Sequence, residues 1–140
     1  MSNGLNNGYN EWGVALPKII WFNQLLNSHG NVKNIVRRDD IIFEIDRLQQ
    51  KDHLIILCCD EYTMGVTAVY RALNEFGALN IIYIGGGWCS YTMEAKEFCL
   101  NSNIGLYNSK EINGALRTKE FWKYHRKDKN GNPIYNNRTA

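Results

Sequence analysis

Two apolar runs, Leu54–Cys59 and Asn80–Ile84, constrain this chain more than any other feature. Each has the length of a strand, and neither alternates apolar with polar as a strand with one wet face does. Both are therefore expected inside a sheet covered on both sides. Between them Val66, Val69, Tyr70, Leu73 and Phe76 recur at helical spacing, and Gly77 supplies a terminator. Buried strand, amphipathic helix, buried strand is the signature of a parallel crossover, and a crossover demands a layered α/β fold. The two runs should be parallel neighbours in one sheet, joined by a helix over 65–76.

The flanks extend the pattern. Pro17 suits a first helical turn, Ile19, Phe22, Leu25 and Leu26 fall near one face, and Gly30 suits a helix exit, which predicts a helix over Lys18–His29. Asn31–Val36 is a weak strand, Arg37–Asp40 a charged turn, and Ile41–Asp46 a half-exposed strand; Gln49–Asp52 can make a hairpin loop. Asp60–Met64 is a loop. Downstream, Gly85-Gly86-Gly87 follows a strand but lacks the GxxxxGK[ST] continuation of a phosphate cradle, which favours a plain turn. Thr92 is a plausible cap for a helix marked by Ala95, Phe98 and Cys99. Ile104–Tyr107 is a short strand, Ser109 caps a last short helix to Leu116, and Asn130-Gly-Asn-Pro is a turn.

At 140 residues the chain is about one domain, and 44% apolar residues with 12% aromatics exclude a disordered one. Met1–Asn10 is polar, unlike a signal peptide, and no apolar run approaches the roughly 18–20 residues of a membrane span. An intracellular protein with no membrane partner is the expectation. The four cysteines show no CxxC spacing, so reduced structural thiols are expected. Cys58 and Cys59, adjacent on one strand, should point to opposite faces. His29, His53 and His125 are isolated and receive no catalytic role.

The net charge of +2 implies nothing by itself, but residues 117–129 hold six Lys/Arg against two acids, which leaves the remainder about −2. Arg117, Lys119, Trp122, Lys123, Tyr124, Arg126 and Lys127 are the candidate nucleic-acid-binding residues, with cations for phosphates and rings for bases. The same aromatics can instead pack back on the domain, or dock a protein. The chain divides into a flexible N-terminal arm (1–17), an α/β domain (18–116) and a basic aromatic extension (117–140).

In that order the elements resemble the Mrr-type branch of the restriction-endonuclease-like (PD-(D/E)xK) superfamily, across roughly residues 18–116. Asp39-Asp40-Ile-Ile resembles the family's acidic turn before its second strand. Leu57-Cys58-Cys59-Asp60-Glu61-Tyr62 resembles its third strand, and Gly65-Val-Thr-Ala-Val with Phe76-Gly77-Ala78 its next helix and exit. Thr92-Met-Glu-Ala-Lys-Glu-Phe, Asn103-Ile-Gly-Leu-Tyr and Ser109-Lys-Glu-Ile resemble its closing helix, strand and helix. The resemblance implies a single three-layer α/β domain with a central mixed sheet. It also implies a divalent metal, usually Mg²⁺, held by carboxylates. Asp39 and Asp40 are the candidate metal ligands, and Asp40 the residual catalytic acid. The family's third strand also needs an acid or Gln and a Lys one residue apart. This chain offers Leu57 and Cys59, or Cys58 and Asp60, and no Lys. The site therefore reads as degenerate. The expected function is a non-catalytic nuclease-fold subunit that binds DNA or RNA or docks in a larger assembly. No cofactor is assigned, except Mg²⁺ if nuclease activity persists.

A second resemblance points to an enzyme. Gly65-Val66-Thr67-Ala68 followed by Asn80-Ile-Ile-Tyr-Ile-Gly-Gly-Gly-Trp88 is similar to a rhodanese (sulfurtransferase) domain. It implies Cys59 as a persulfide-carrying thiol at a helix N-terminus. Here the spacing between thiol and helix is longer than in that family, and Asp60 and Glu61 beside Cys59 disfavour a thiolate.

Overall fold

A computed structural model describes residues 5–135 and 137. Residues 1–4 of the expected arm, and 136 and 138–140 of the expected extension, lie outside the described residues.

The first helix, α1 (Leu16–Ser28), begins two residues earlier than the sequence predicts, with Pro17 in its first turn. It buries Ile19, Phe22 and Leu26, the i, i+3, i+7 stripe expected of it. Two antiparallel hairpin connections follow, through β1 (Val32–Arg38), β2 (Ile42–Arg47) and β3 (His53–Cys58). Asp39 and Asp40, both in the left-handed region at φ 49° and 66°, make the first turn. The loop predicted over Asp60–Met64 holds a short strand, β4 (Thr63–Met64). Then come α2 (Val66–Phe76), ended by Gly77 at φ 77°, and β5 (Ile81–Tyr83). β6 (Ser90–Tyr91) pairs with β4 in a two-stranded parallel sheet that the sequence did not announce. The chain continues through α3 (Met93–Asn101), β7 (Gly105–Tyr107) and a single-turn α4 (Ile112–Ala115). It ends in a 3₁₀ turn at Phe121–Lys123 and a small hairpin of β8 (Arg126–Lys127) and β9 (Pro133–Ile134).

The central sheet has five strands in the order β1-β2-β3-β5-β7, antiparallel through β3 and parallel from β3 to β7. The two apolar runs are parallel neighbours, with Ile56 beside Ile81 and Cys58 beside Tyr83. Their burial on both faces follows from helices on both faces. On one face Phe22 of α1 stacks on Tyr83 at 4.2 Å and meets Phe43 of β2 edge-on at 5.2 Å. Residues opposite in register share a face, so Phe43, Ile56, Ile81 and Cys58 lie under α1. Ile42, Leu57, Ile82 and Leu106 form the buried row of the other face. There α2 and α3 pack on each other through an edge-to-face Tyr70–Phe98 pair. Tyr70, predicted inward, is half exposed because its ring turns toward α3 rather than the sheet.

Lys96 of α3 closes the sheet edge. It is fully buried, its Nζ donates to the Leu106 carbonyl at 2.9 Å, and it lies 4.0 Å from the Tyr107 ring centroid. A buried ammonium on the outer carbonyl of an edge strand occupies an acceptor that another strand would otherwise seek.

Candidate nucleic-acid interface

The basic segment 117–129 is not a loose tail. Arg47, at the end of β2, fixes its beginning. The Arg47 guanidinium is fully buried, makes a bidentate pair with Asp52 (2.9 and 2.8 Å), and donates to the Thr118 carbonyl at 2.6 Å and the Lys119 carbonyl at 3.2 Å. Its planar fork can serve a carboxylate and backbone carbonyls at once, which a Lys could not do. Phe121 is buried with its ring 5.5 Å from that guanidinium. Asn31 adds a second tie. Its amide donates to Gln50 Oε1 at 2.7 Å and to the Leu116 carbonyl at 2.9 Å, while its side-chain oxygen accepts from the Gln49 amide. Arg47 and Asn31 thus hold the β2–β3 loop and residues 116–119 together, and an open groove of about 930 Å³ runs between them.

That groove is lined by Gln49, Gln50 and Asp52 on one side and by Thr118, Lys119, Glu120, Trp122 and Lys123 on the other, so its two lysines face two carboxylates. Three sequence candidates therefore meet there: Lys119, Trp122 and Lys123. Lys119 and Lys123 are exposed, and Trp122 is half buried against Phe121. Lys123 pairs with Glu120 at 3.3 Å on the surface, a contact that water screens. Arg117 and Lys127 are exposed and Arg126 half exposed, outside the groove lining. Tyr124 is spent on the domain: its carbonyl accepts from the Tyr107 hydroxyl at 3.0 Å, and its ring meets Tyr107 edge-on. The aromatics thus do both things the sequence left open. Phe121 and Tyr124 pack inward, while Trp122 walls a groove.

Asp40 sits elsewhere. Its carboxylate is buried and surrounded by donors. Oδ1 accepts from the amides of Asn6 (3.1 Å) and Asn7 (2.6 Å) and from Arg37 (3.0 Å); Oδ2 accepts from the Gly8 amide (3.0 Å) and Asn10 Nδ2 (2.8 Å). Burial alone would push this carboxyl up. The donors from Asn10, Gly8, Asn7 and Asn6 outweigh it and hold Asp40 below the ordinary carboxylate value. This is the chemistry of an anchor. A metal bound here would have to displace five N–H donors from both oxygens. The expected flexible arm is held by this anchor from Asn6 onward, and Trp12 and Val14 enter the core. Asp39 is exposed and pairs with Arg38 at 2.7 Å. Among the described residues no cluster of His, Cys, Asp or Glu could hold a metal ion.

Cys59 is buried immediately beyond β3, and burial, with Cys58 and Glu61 nearby, pushes its thiol well above the ordinary value. A transfer thiol needs the opposite environment. Cys58, on the α1 side of the sheet, is also buried and pushed up. The N-cap position of α4 falls on Glu111, not on Ser109, and has no side-chain cap bond; ahead of it the Asn108 side-chain oxygen accepts from the Lys110 amide at 2.9 Å. Arg47 and Asn31 escaped the sequence reading. The one available signal was a charged side chain closing an otherwise alternating strand. No family model, curated protein or solved structure matches this chain. No helix among the described residues is long and apolar enough to cross a membrane.

Proposed function

We propose that this chain is a non-catalytic nucleic-acid-binding module of nuclease-like layout. It would hold a single strand along the 117–129 segment, with Lys119 and Lys123 on phosphates and Trp122 under a base. The observation that carries this reading is the groove that joins Lys119, Trp122 and Lys123 to the Gln49 and Gln50 amides. Strand-binding surfaces combine cations with an aromatic wall, and stacking contributes about 1–3 kcal/mol per base; here Lys119 and Lys123 stand beside Trp122, with Asp52 taken up by Arg47 and Glu120 by Lys123. Arg117, Lys127 and Lys129 extend the positive surface past the groove.

Support for the layout comes from element order: a helix, three antiparallel strands, then two crossovers into parallel strands, as in the nuclease-like pattern. Support for a non-catalytic role comes from Asp40, whose lone pairs are committed to the N-terminal arm. Cys59 borders the cavity formed by α1 and the Gly85–Gly87 turn, but it is buried and shifted away from the thiolate, which counts against the sulfurtransferase alternative.

Electrophoretic mobility against single-stranded DNA and RNA, at low and moderate salt, tests the proposal. Retardation that fades as salt rises is the expected result. No retardation of either strand at low salt would refute it and leave protein docking as the use of this surface.

A further inference from the structure

A second cavity lies on a different part of the molecule, beyond the carboxyl ends of β3 and β5. It encloses about 420 Å³ between Pro17, Lys18 and Trp21 of α1 and the Gly85–Gly87 turn, with Tyr83 in its wall. Small-molecule sites run from about 300 to 1,000 Å³ and, in α/β sheets, sit outside the carboxyl ends of parallel strands.

Four features define what fits. Lys18 is the only charged residue in the lining, and it makes no ion pair among the described residues. Trp21 and Tyr83 present nearly parallel rings, 18° apart with centroids at 6.3 Å, and Trp21 is 47% exposed. The backbone amides of Gly85, Gly86 and Gly87 donate to no acceptor among the described residues. Finally, a Cβ on Gly86 would meet nothing within 4 Å, so packing does not require glycine there. Gly85 differs: at φ 115° its missing Cβ would lie 3.0 Å from Asp60 Oδ1 and Cys89 Sγ. Asp60 thus stands behind the turn and is not part of the lining.

One cation in the lining, a second on Lys110 packed against Gly87, consecutive unpaired amides and the Ser109 hydroxyl suit a phosphate. A half-exposed indole one helical turn from Lys18 suits a planar ring. We propose that this cavity binds a nucleoside 5′-phosphate, its base on Trp21 and its phosphate between Lys18 and the glycine turn. The ligand is either a free nucleotide or the phosphorylated end of a strand, which share this chemistry. The site uses no residue of the 117–129 groove, so it stands whether or not that groove binds nucleic acid.

Calorimetric titration of the full chain tests the assignment with four probes: adenosine 5′-monophosphate, adenosine, ribose 5-phosphate and a 5′-phosphorylated trinucleotide. Adenosine 5′-monophosphate should bind with Kd below about 1 mM, and adenosine or ribose 5-phosphate about tenfold more weakly or worse. Lys18→Gln should weaken the nucleotide about tenfold by removing a charge-assisted contact. Gly86→Val should block it by filling the space a Cβ finds open, with Tm unchanged in both variants. Trinucleotide binding alongside the mononucleotide identifies a strand end, and its absence a free nucleotide. No heat with adenosine 5′-monophosphate would overturn the proposal. Binding undiminished in both Lys18→Gln and Gly86→Val would also overturn it, because the nucleotide would then sit elsewhere.

Discussion

Replacing Asp40 by Ala should release the N-terminal arm and cost a large share of the protein's stability. The wild-type carboxylate accepts five hydrogen bonds, one of them from the Arg37 guanidinium, with its own side chain 1% exposed. Hydrogen bonds to a charged group contribute about 1.5–3 kcal/mol each when isolated, but five on one carboxylate share a single charge and are far from additive. Part of the loss is also recovered, because the freed Asn6, Asn7 and Gly8 amides can reach water. A net cost of about 3 kcal/mol follows, against a typical total of about 5–15. The titration has a definite sign. The folded pKa of Asp40 is lowered, so its contribution is present above the unfolded value of about 3.9 and is lost as pH falls through the still lower folded value. Urea denaturation of wild type and Asp40→Ala at pH 7 and near pH 3 reads both effects, and amide exchange at Asn6, Asn7 and Gly8 reads the release of the arm. The stability gap should narrow at the lower pH. A gap under about 1 kcal/mol at pH 7, with those amides still protected, would refute the anchor. A rise in Tm on adding Mg²⁺ that disappears in Asp40→Ala would refute it in favour of a metal site.

Arg47→Met should cost about 3 kcal/mol and expose residues 116–119 to proteolysis, since it strands Asp52 and two carbonyls; limited proteolysis showing equal protection would count against that role. Burial pushes Lys96 down to about 8, so between that value and the ordinary 10.5 the unfolded chain binds the extra proton and the Lys96 contribution to stability should rise with pH, opposite in sign to that of the buried thiols. Lys96→Met removes this rise, on the order of 3 kcal/mol, and parallel pH profiles for the two proteins would contradict it. His53 bridges Asp46 and Glu44 at 2.7 and 2.8 Å, which raises its pKa. Its stabilisation, under about 1 kcal/mol at so exposed a site, is present below the unfolded value near 6.5 and lost as pH rises through the folded one. His53→Ala should therefore cost more at pH 5.5 than at pH 8.5, and equal costs would reject the bridge.

The central sheet was legible because periodicity reports burial directly. Leu54–Cys59 and Asn80–Ile84 are apolar on both faces, and a covered parallel pair is the arrangement that makes use of this. The β4–β6 pair was not legible. Two-residue strands carry no period, and their pairing joins residues 63–64 to 90–91, a distance in sequence that local pattern cannot span. Asp40 was noticed for its charge, but its partners are backbone amides of Asn6, Asn7 and Gly8, whose donor role is independent of side-chain identity. The same holds for Arg47, which works through the carbonyls of Thr118 and Lys119. In the basic segment, composition marked the candidates but not their placement. Only the three-dimensional placement separates Trp122, which walls a groove, from Phe121 and Tyr124, which pack inward.

The claim that the 117–129 segment binds nucleic acid is tested most directly by the salt dependence of strand binding. Fluorescence anisotropy of a labelled single-stranded oligonucleotide gives log Kobs against log salt for wild type and for Lys119→Gln/Lys123→Gln. With about five cations engaged, the wild-type slope should be near −3.5, and the double variant should lose about 1.4 of it, since each phosphate contact on a single strand contributes roughly 0.7. Trp122→Ala should weaken binding at every salt concentration and leave the slope unchanged. Equal slopes for wild type and the double variant would contradict the account.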